Sequence, residues 1–428
     1  MIKEITNWGN NKVVSPQTLK LKRHLPLDML QTMGEKYLPI GNLRSYGDVC
    51  LNESTVILSR SHREIVEIKN GELHARAGAT LSEILEVCIP QGYFLPVTPG
   101  TQYVTLAGAI AGDVHGKNHH ISGNFGHHVT EINLLRSDGA THTLHPGDPL
   151  FHATIAGMGL TGIILDAKIK LLPIKSSQID VERTPFSNLE EFFQIENESK
   201  NSRYTVAWID TTSKNNRGIH FQGEHAQKGS LKAKRTRFKP SLPKKCPRLL
   251  NSVSVKALNE FIYRKECINS GKHTESYNSF FYPLDAIEAW NRAYGRKGFY
   301  QYQCVIPPAT AKEAISNILL TARRSPLLSS FLTVIKNFGK IENTGILSFP
   351  MEGTTLAMDF PNQGAPTLLL FEKFDEIVKE AGGRLYLLKD SRMSAQDFQN
   401  TYPIEKFQPF RDPAIASMLS DRLFPKIT

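Results

Sequence analysis

Glycine is concentrated in one stretch of the chain, and this stretch limits the fold more than any other feature. Between Pro96 and Val129, glycine stands at positions 100, 108, 112, 116, 123 and 126. Glycine adopts backbone conformations that other residues avoid and weakens the interior of helices and strands. The stretch therefore predicts tight turns between short elements. The 30 glycines and 24 prolines of the whole chain give the same indication, and a coiled coil is excluded.

The size and composition of the chain indicate two domains, or one domain inserted into another, because 428 residues exceed what one hydrophobic core usually supports. With 40% hydrophobic and 21% charged residues, disorder is excluded for the bulk of the chain. No apolar stretch approaches the ~18 residues of a membrane span, and residues 1–12 lack the apolar core of a secretory signal, so we expect a cytoplasmic protein.

The cysteines lack CxxC or zinc-like spacing, and their odd number predicts reduced thiols without a disulfide framework or a bound metal. They are Cys50, Cys88, Cys246, Cys267 and Cys304. Five histidines lie close together and would suit a metal, but no cysteine or suitably spaced acid completes such a site, so solvated or backbone-bonded side chains are favoured. These histidines are His115, His119, His120, His127 and His128.

The net charge of +10 is concentrated between Lys228 and Arg248, and this segment is called the basic stretch below. An anionic membrane surface, a phosphate-bearing substrate or nucleic acid would suit it, as would a mobile loop that binds nothing. Its three prolines break any amphipathic helix and only Phe238 could stack on a base, so nucleic acid is disfavoured and lipid headgroups are the favoured functional alternative. Its cations are Lys228, Lys232, Lys234, Arg235, Arg237, Lys239, Lys244, Lys245 and Arg248.

Local signals predict several elements. Thr80 is a helix N-cap with Glu83 in capping-box position, and the apolar spacing that follows predicts a helix closed by Gly92. Residues 131–144 read as a hairpin with Asp138-Gly139 at its turn. Strands are predicted at residues 56–59, 65–68 and 73–77, and a helix over residues 371–383 is followed by a strand and a turn.

The segment Gly157 to Gly162 matches the G-x-G-x-x-G signature of a dinucleotide site, which requires a strand before the glycines and a helix after them. Here the preceding residues are helical in pattern, and the residues from Ile163 to Leu171 alternate like a strand. We therefore reject a Rossmann site and predict a tight junction between a helix and a strand.

Two other segments are suited to bind a diphosphate without a helix. The first bend, residues 39–48, contains small residues that let successive N–H groups turn toward an anion, and Arg44 and Ser45 add polar side chains. The second bend comprises residues 99–101 and 105–108. Each bend alone is weak evidence for a diphosphate site, because an ordinary connection between two elements explains the same residues equally well.

Together with the Gly162 junction, these bends resemble the vanillyl-alcohol-oxidase type of FAD-binding oxidoreductases, and within it the oxidases that act on decaprenylphosphoryl-ribose. The similarity runs in order through nearly the whole chain. It is carried by RSYGD (44–48), PGT (99–101), GAIAGDVHGKNHH (108–120), GLTGII (159–164), YPLD (282–285), WNRAYG (290–295), FYQYQCVIP (299–307) and GGRLYLLKDSR (382–392).

The resemblance implies an α+β fold with two domains. A PCMH-type FAD domain would comprise residues 1–178 and 384–428, and an inserted substrate domain of antiparallel sheet and helices would comprise residues 179–383, with a mobile loop at about 225–250. FAD would be held non-covalently, since Asp48 occupies the place where related enzymes carry a histidine that links the flavin. The implied FAD contacts are Gly41, Asn42, Leu43, Arg44, Ser45, Tyr46, Gly47, Asp48, Gly100, Thr101, Thr105, Gly108, Gly112, Asp113, His115, Ile163, Ile164 and Tyr386.

The resemblance also assigns chemistry. Oxidising a secondary alcohol removes a hydride and a hydroxyl proton, and a lysine near the flavin could act as a cation or as a base. The implied catalytic residues are Lys389, His115 and Tyr46, although Lys389 taken alone reads as a surface lysine. The implied substrate-binding residues are Lys117, Tyr282, Gln301, Gln303, Lys336 and Trp208, with Trp8 as a further pocket-side aromatic.

The implied reaction is oxidation of the 2′-hydroxyl of a polyprenyl-phosphoryl-β-D-ribose to a ketone, the first half of an epimerisation that supplies cell-envelope polysaccharide, and an NAD(P)H-dependent keto-reductase would complete it. Peripheral membrane contact through the basic stretch is expected, and nucleic-acid binding is not. Two alternatives stay open: an aldonolactone oxidase of the same superfamily, and a membrane- or RNA-binding module that retains the fold. Mycobacterial members carry a cysteine where this chain has Ala357, so thiol-dependent behaviour is not expected here.

Overall fold

The computed structural model describes residues 2–21, 36–233, 239–243, 245–325 and 329–424. Its strands are β1 (Ile5–Thr6), β2 (Val13–Val14), β3 (Gln17–Lys20), β4 (Tyr37–Ile40), β5 (Thr55–Leu58), β6 (Ile65–Lys69), β7 (Glu72–Arg76), β8 (Tyr93–Phe94), β9 (Val129–Leu135), β10 (Thr141–Leu144), β11 (Ile163–Lys170), β12 (Leu172–Pro173), β13 (Gln178–Phe186), β14 (Tyr204–Ile209), β15 (Gly218–His225), β16 (Gly271–Ser276), β17 (Phe299–Ile306), β18 (Thr333–Phe338), β19 (Gly353–Pro361) and β20 (Arg384–Leu385).

The α-helices are α1 (Leu81–Cys88), α2 (Leu106–Ala111), α3 (His119–Ser122), α4 (Pro149–Thr154), α5 (Leu189–Glu198), α6 (Ser252–Ile268), α7 (Tyr277–Phe281), α8 (Pro308–Arg323), α9 (Ala365–Glu380), α10 (Ala395–Thr401), α11 (Ile404–Phe407) and α12 (Met418–Leu423). Helices and sheets are thus mixed, as an α+β fold requires. None of the helices in the described ranges combines the length and the apolarity that a membrane span needs.

Residues from both ends of the chain share one hydrophobic core. A three-stranded parallel sheet, in the order β3-β5-β4, packs against the C-terminal segment. The Tyr37 N–H donates to the Ala414 carbonyl at 2.9 Å, and the Ala416 N–H donates to the Tyr37 carbonyl at 3.0 Å. Leu419 and Leu423 of α12 are buried in the same core. A five-stranded antiparallel sheet, in the order β10-β9-β11-β7-β6, lies next along the chain and packs on α1 and α2.

An eight-stranded antiparallel sheet, in the order β16-β13-β15-β14-β18-β19-β17-β20, supplies the second half of the molecule. Because side chains alternate along a strand, each strand has two different faces. On one face, apolar residues such as Cys304, Ile335, Leu356 and Met358 are buried against α5, α8 and α9. The opposite face carries polar residues at the intervening positions, and these prove to surround the candidate site.

The structure confirms the elements that local signals predicted. Thr80 and Glu83 form a capping box at the start of α1, and Gly92 ends the following turn with φ of 80°. The strands β9 and β10 pair across Asp138-Gly139. The chain runs from α4 through the glycines to β11, which is the order of helix, turn and strand that excluded a Rossmann site.

One local prediction was inaccurate. The second bend was expected to lack a helix, but the side chain of Thr105 accepts a hydrogen bond from the Gly108 N–H at 3.1 Å and caps α2. The strand and turn predicted after α9 are confirmed: β20 has 2 residues, and the Lys389 N–H then turns back to the Tyr386 carbonyl at 2.9 Å.

We propose that the chain divides into domains near residues 178 and 383. The eight-stranded sheet supports this division, because all of its strands except β20 lie between Gln178 and Pro361. The core shared by the two chain ends supports it as well. Lys234, Arg235, Arg237, Phe238 and Lys244 of the basic stretch lie outside the described residues.

Candidate functional site

A cavity of about 960 Å³ lies between the two bends and the polar face of the eight-stranded sheet, and it is called the large cavity below. Its volume is at the upper end of the range of roughly 300–1,000 Å³ for small-molecule sites. Every residue proposed for catalysis or substrate binding lies in its wall. The predicted residues in the wall are Trp8, Gly41, Asn42, Leu43, Arg44, Ser45, Tyr46, Gly100, Thr101, Thr105, Gly108, His115, Lys117, Trp208, Tyr282, Gln301, Gln303, Lys336, Tyr386 and Lys389.

The first bend presents its backbone to the large cavity. Leu43 has φ of 51°, and a left-handed residue within such a bend turns neighbouring N–H groups toward one point, as in an anion-binding nest. Among the described residues, no acceptor faces the N–H groups of residues 42–45. The guanidinium of Arg44 lies over the Trp8 ring at 4.1 Å from its centroid, and its Nε is buried without a described partner. Burial lowers the pKa of Arg44.

The second bend faces the first. A Cβ placed on Gly41 would collide with the Thr105 hydroxyl, so glycine allows the two bends to touch. A Cβ placed on Gly100 would meet no atom within 4 Å, because this glycine borders open space in the large cavity. Unpaired N–H groups, a cation with an unused donor and an open glycine wall fit the anionic diphosphate of FAD. Asn42 to Ser45, Arg44 and Gly100 are the residues that would hold it.

Several implied FAD contacts lie outside the wall of the large cavity: Gly47, Asp48, Gly112, Asp113, Ile163 and Ile164. Asp48 is 1% exposed and pairs with Arg422 of α12, whose Nη2 is 3.0 Å from Asp48 Oδ1 and 3.2 Å from Asp390 Oδ2. The same group therefore links the first bend to the turn that carries Lys389. The N–H groups of Tyr46 and Gly47 add two hydrogen bonds to the Leu388 carbonyl, at 3.1 and 3.4 Å.

The remaining four implied FAD contacts are buried against other parts of the protein and do not border the large cavity. Asp113 is fully buried and accepts hydrogen bonds from the Gly126 N–H and the Asn124 side chain, both at 2.8 Å. Burial raises the pKa of its carboxyl. Gly112 packs closely against Leu388. Ile163 and Ile164 begin β11 and pair with Leu135 and Leu134 of β9.

The polar face of the sheet forms one wall of the large cavity. Gln301 and Gln303 stand on the same side of β17, as the strand period predicted, and Gln303 is opposite Ala357 of β19. Nε2 of Gln303 is 3.1 Å from His115 Nε2. Burial and the charges of Lys336, His119 and Lys389 keep the pKa of His115 well below its usual value, so this imidazole is neutral. Gln303 thus donates a hydrogen bond and leaves His115 Nδ1 as a donor.

Two lysines are partly buried in the wall without a described carboxylate in ion-pair contact. Lys117 donates to the Phe280 carbonyl and lies over that ring at 4.1 Å from its centroid, and desolvation lowers its pKa to about 8 although the charge of Glu275 acts to raise it. Lys336 donates to the Gly116 carbonyl at 2.6 Å. Burial and the charge of Lys117 lower its pKa to about 7, although Glu196 acts to raise it. A bound anion would stabilise the charged form of both side chains.

The third partly buried lysine of the wall is Lys389, whose Nζ lies 3.6 Å from the centroid of the Tyr46 ring. Burial lowers its pKa to about 7 although the charge of Asp359 acts to raise it. Asp359 is fully buried, and burial raises its pKa to about 7 against a 2.5 Å hydrogen bond from Gln301 and the charge of Lys389. The two groups titrate as a coupled pair, so a proton can be held by either near neutral pH.

Sequence reasoning missed two acids. Asp359 is a lone acid in the apolar run of β19, and its isolation among buried positions was the available signal. Asp285 accepts hydrogen bonds from the Thr101 hydroxyl and the Gln102 N–H, both at 2.9 Å, and so fixes the second bend. Tyr282, three residues earlier, bonds through its hydroxyl to Thr98 at 2.6 Å. Lys239 of the basic stretch also turns inward, where it donates to the Asp285 carbonyl at 2.6 Å.

Three of the clustered histidines bond to backbone carbonyls, as expected. His120 lies 2.9 Å from the Ser202 carbonyl, His127 is 2.8 Å from that of Glu342, and His128 is 3.0 Å from that of Ser122. The five cysteines are free thiols in the structure.

Comparison with known proteins agrees with this geometry. Residues 27–145 match the family model described as FAD binding domain. The decaprenylphosphoryl-β-D-ribose oxidase of Mycolicibacterium smegmatis is 36% identical over 382 residues, which cover 84% of this chain and 82% of that protein. An uncharacterised protein of Streptomyces coelicolor is 28% identical over 345 residues, which cover 76% of this chain and 92% of that protein.

Proposed function

Because this chain belongs to the family of decaprenylphosphoryl-β-D-ribose oxidase, FAD-dependent oxidoreductases of the vanillyl-alcohol-oxidase type that act on CH–OH groups, we propose that it oxidises the 2′-hydroxyl of a polyprenyl-phosphoryl-β-D-ribose to the 2′-keto form. This oxidation would be the first half of an epimerisation to the arabinose form. The arabinose form would then serve the synthesis of cell-envelope polysaccharide. An NAD(P)H-dependent keto-reductase would complete it, because a ketone needs a hydride donor to become an alcohol again.

One observation carries this proposal: Lys117 and Lys336 lie partly buried in the wall of the large cavity without a described carboxylate in ion-pair contact. Removing an unpaired cation from water is costly, so a chain that keeps two of them in one cavity is organised to receive an anion. A substrate phosphate supplies that anion. Gln301, Gln303, Tyr282 and Trp208 surround the remaining space with the hydrogen-bonding and apolar surfaces that a sugar uses.

The same site accounts for the chemistry. FAD, when bound, supplies the acceptor for the hydride that leaves C2′ of the sugar. Lys389 in its neutral form takes the hydroxyl proton on Nζ, and Asp359 sets how much of that neutral form is present. The ring of Tyr46 holds the ammonium in place afterward, since a cation is stabilised over an aromatic face. Neutral His115 holds the side chain of Gln303 in place, because its Nε2 accepts a hydrogen bond from the Gln303 amide.

We further propose that the protein contacts the inner face of a membrane through the basic stretch and α6. Three large apolar side chains of α6 are exposed, Val253 by 77%, Phe261 by 64% and Ile268 by 84%, and they share one face of the helix with Arg264, while Lys256 and Lys265 flank this face on its two sides. Cations beside apolar residues are typical of helices that lie on an anionic bilayer. Ile262 and Lys265 also line the large cavity, so a lipid-linked substrate would enter close to the bilayer.

The test compares substrates under anaerobic conditions, with flavin absorbance as the readout. The holoenzyme is mixed with a polyprenyl-phosphoryl-ribose, with its dephosphorylated counterpart and with a free sugar lactone. We expect bleaching with the phosphorylated lipid alone. Bleaching by the lactone at a comparable rate would instead identify an aldonolactone oxidase. The substrate of such an enzyme has no phosphate that Lys117 and Lys336 could bind.

A further inference from the structure

Glu196 is a buried acid that lies outside the wall of the large cavity yet contacts the segments that carry two of its lysines. It stands near the end of α5 and is 4% exposed. One carboxylate oxygen accepts hydrogen bonds from the Asn337 N–H and the Thr205 hydroxyl, both at 3.1 Å. The other lies 2.7 Å from Nε2 of His220, which is fully buried on β15.

Both of the accepted hydrogen bonds lead to a lysine. Asn337 follows Lys336 on β18, so its N–H fixes the backbone next to that side chain. Thr205 donates its own N–H to the Lys117 carbonyl at 2.8 Å. The Lys336 ammonium in turn donates to the carbonyl of Gly116, the neighbour of Lys117, at 2.6 Å. Glu196 is therefore joined to both anion-binding segments by one or two hydrogen bonds.

We propose that Glu196 is the positioning residue of the anion site: through Asn337 and Thr205 it sets the separation of the segments bearing Lys117 and Lys336, and it places a negative charge beside the Lys336 segment. The inference rests on the proposed function, in which these lysines receive the substrate phosphate. It assigns a role in substrate affinity to a side chain that touches neither substrate nor cofactor.

Chemistry separates this role from a purely structural one. A glutamine at position 196 could still accept from Asn337 and Thr205 through its amide oxygen and would keep a polar nitrogen beside His220 Nε2, so these contacts need no charge. The charge matters to Lys336, whose pKa is raised by Glu196 and lowered by burial and by Lys117 and Lys389. His115 and His119 also interact with Lys336 and are not altered by the substitution. His220 contacts Glu196 directly, so a variant in which position 336 cannot lose its charge is needed to isolate the effect on Lys336.

The experiment measures KM and kcat for a short-chain prenyl-phosphoryl-ribose between pH 6 and pH 9, using the holoenzyme and Glu196→Gln. In Glu196→Gln we expect KM to begin to rise at a lower pH than in the wild type, because Lys336 loses its proton at a lower pH. At pH 8 we expect KM to increase about tenfold with kcat and flavin content nearly unchanged. Glu190→Gln is the matched control, since Glu190 is exposed on the same helix and pairs only with Lys312 among the described side chains.

The same substitution made in a Lys336→Arg variant separates the effect of the Glu196 charge from any effect on structure. Lys336→Arg carries a guanidinium that stays protonated throughout this range, so adding Glu196→Gln to it should leave the pH profile in place. A wild-type KM profile in Glu196→Gln, with Lys336→Met raising KM, would overturn the role of Glu196 alone. An unchanged KM in Lys336→Met would overturn the anion site itself, and with it the proposed function.

Discussion

The ammonium of Lys389 rests on the ring of Tyr46, with Nζ 3.6 Å from the ring centroid, although the two residues are far apart in the sequence. The contact joins the first bend, which is proposed to hold the cofactor, to the turn proposed to carry out proton transfer. Hydrogen bonds from the Tyr46 and Gly47 N–H groups to the Leu388 carbonyl lock the two segments together. The proposed cofactor site and the proposed catalytic lysine are therefore positioned by one set of contacts.

Lys389→Met should retain FAD but lose substrate-driven bleaching, because methionine fills the space without accepting a proton. We expect the rate of flavin reduction to fall by about 10²–10⁴-fold, the usual contribution of a positioned acid or base. Anaerobic stopped-flow absorbance measures it. Lys379→Met is the control, since Lys379 is exposed and paired with Asp397. Undiminished reduction would remove Lys389 from the reaction.

Asp359→Asn should shift the pH dependence of flavin reduction downward. The pKa of Lys389 is about 7 with Asp359 acting to raise it, so loss of the carboxylate lowers that pKa further. If neutral Lys389 accepts the proton, the rate rises with pH through this pKa, and in the variant it rises at lower pH. The profile of kcat/KM from pH 5 to pH 9 tests this. Asp180→Asn, at an exposed acid, serves as the control, and a limb that moves upward would contradict the assigned roles.

Gly100→Val should weaken FAD binding without destabilising the apoprotein. The added side chain meets no protein atom at its Cβ, so it projects into the space assigned to the cofactor. Titration of the apoprotein with FAD, followed by flavin fluorescence, measures the affinity, and thermal melting of the apoprotein measures the stability. We expect at least a tenfold loss of affinity and an unchanged melting temperature. Wild-type affinity would show that FAD lies elsewhere.

Asp48→Asn should lower the free energy of unfolding by about 3 kcal/mol, because it breaks a buried ion pair. Arg422 would keep Asp390, while Lys12, 3.7 Å from Asp48, would lose its partner. Urea unfolding of the apoprotein measures the change. Asp138→Asn, at an exposed turn, is the control. A stability loss below about 1 kcal/mol would mean that the first bend is held mainly by its backbone hydrogen bonds.

Replacing Phe261 and Ile268 of α6 by serine should reduce binding to vesicles that contain anionic lipid and leave flavin content unchanged. Leu369→Ser is the matched control, since Leu369 is 57% exposed on α9. Deleting residues 228–248 should also weaken binding, with a larger effect at low salt because its contribution is electrostatic. Co-sedimentation with vesicles measures both. Equal binding by all of these variants would leave the surface without a membrane role.

Local chemistry allowed a large part of the fold to be predicted. Some features depend only on residues that are close together in the chain. They are the capping box at Thr80, the turn at Asp138-Gly139, and the position of Gln301 and Gln303 on one side of a strand. The site residues themselves came from the family resemblance. Asp359, Asp285 and Glu196 were missed because their contacts involve residues from other strands, helices and loops. A pattern read along one segment cannot reveal which distant group completes it.

The bridge from Arg422 to Asp48 and Asp390 has a consequence for biosynthesis. During translation, Asp48 and the first bend emerge early, whereas Arg422 emerges only when α12 is made. The ion pair that ties the proposed cofactor site to the turn of Lys389 can therefore form only after almost four hundred further residues have been synthesised, so we expect this site to reach its final geometry late in biosynthesis.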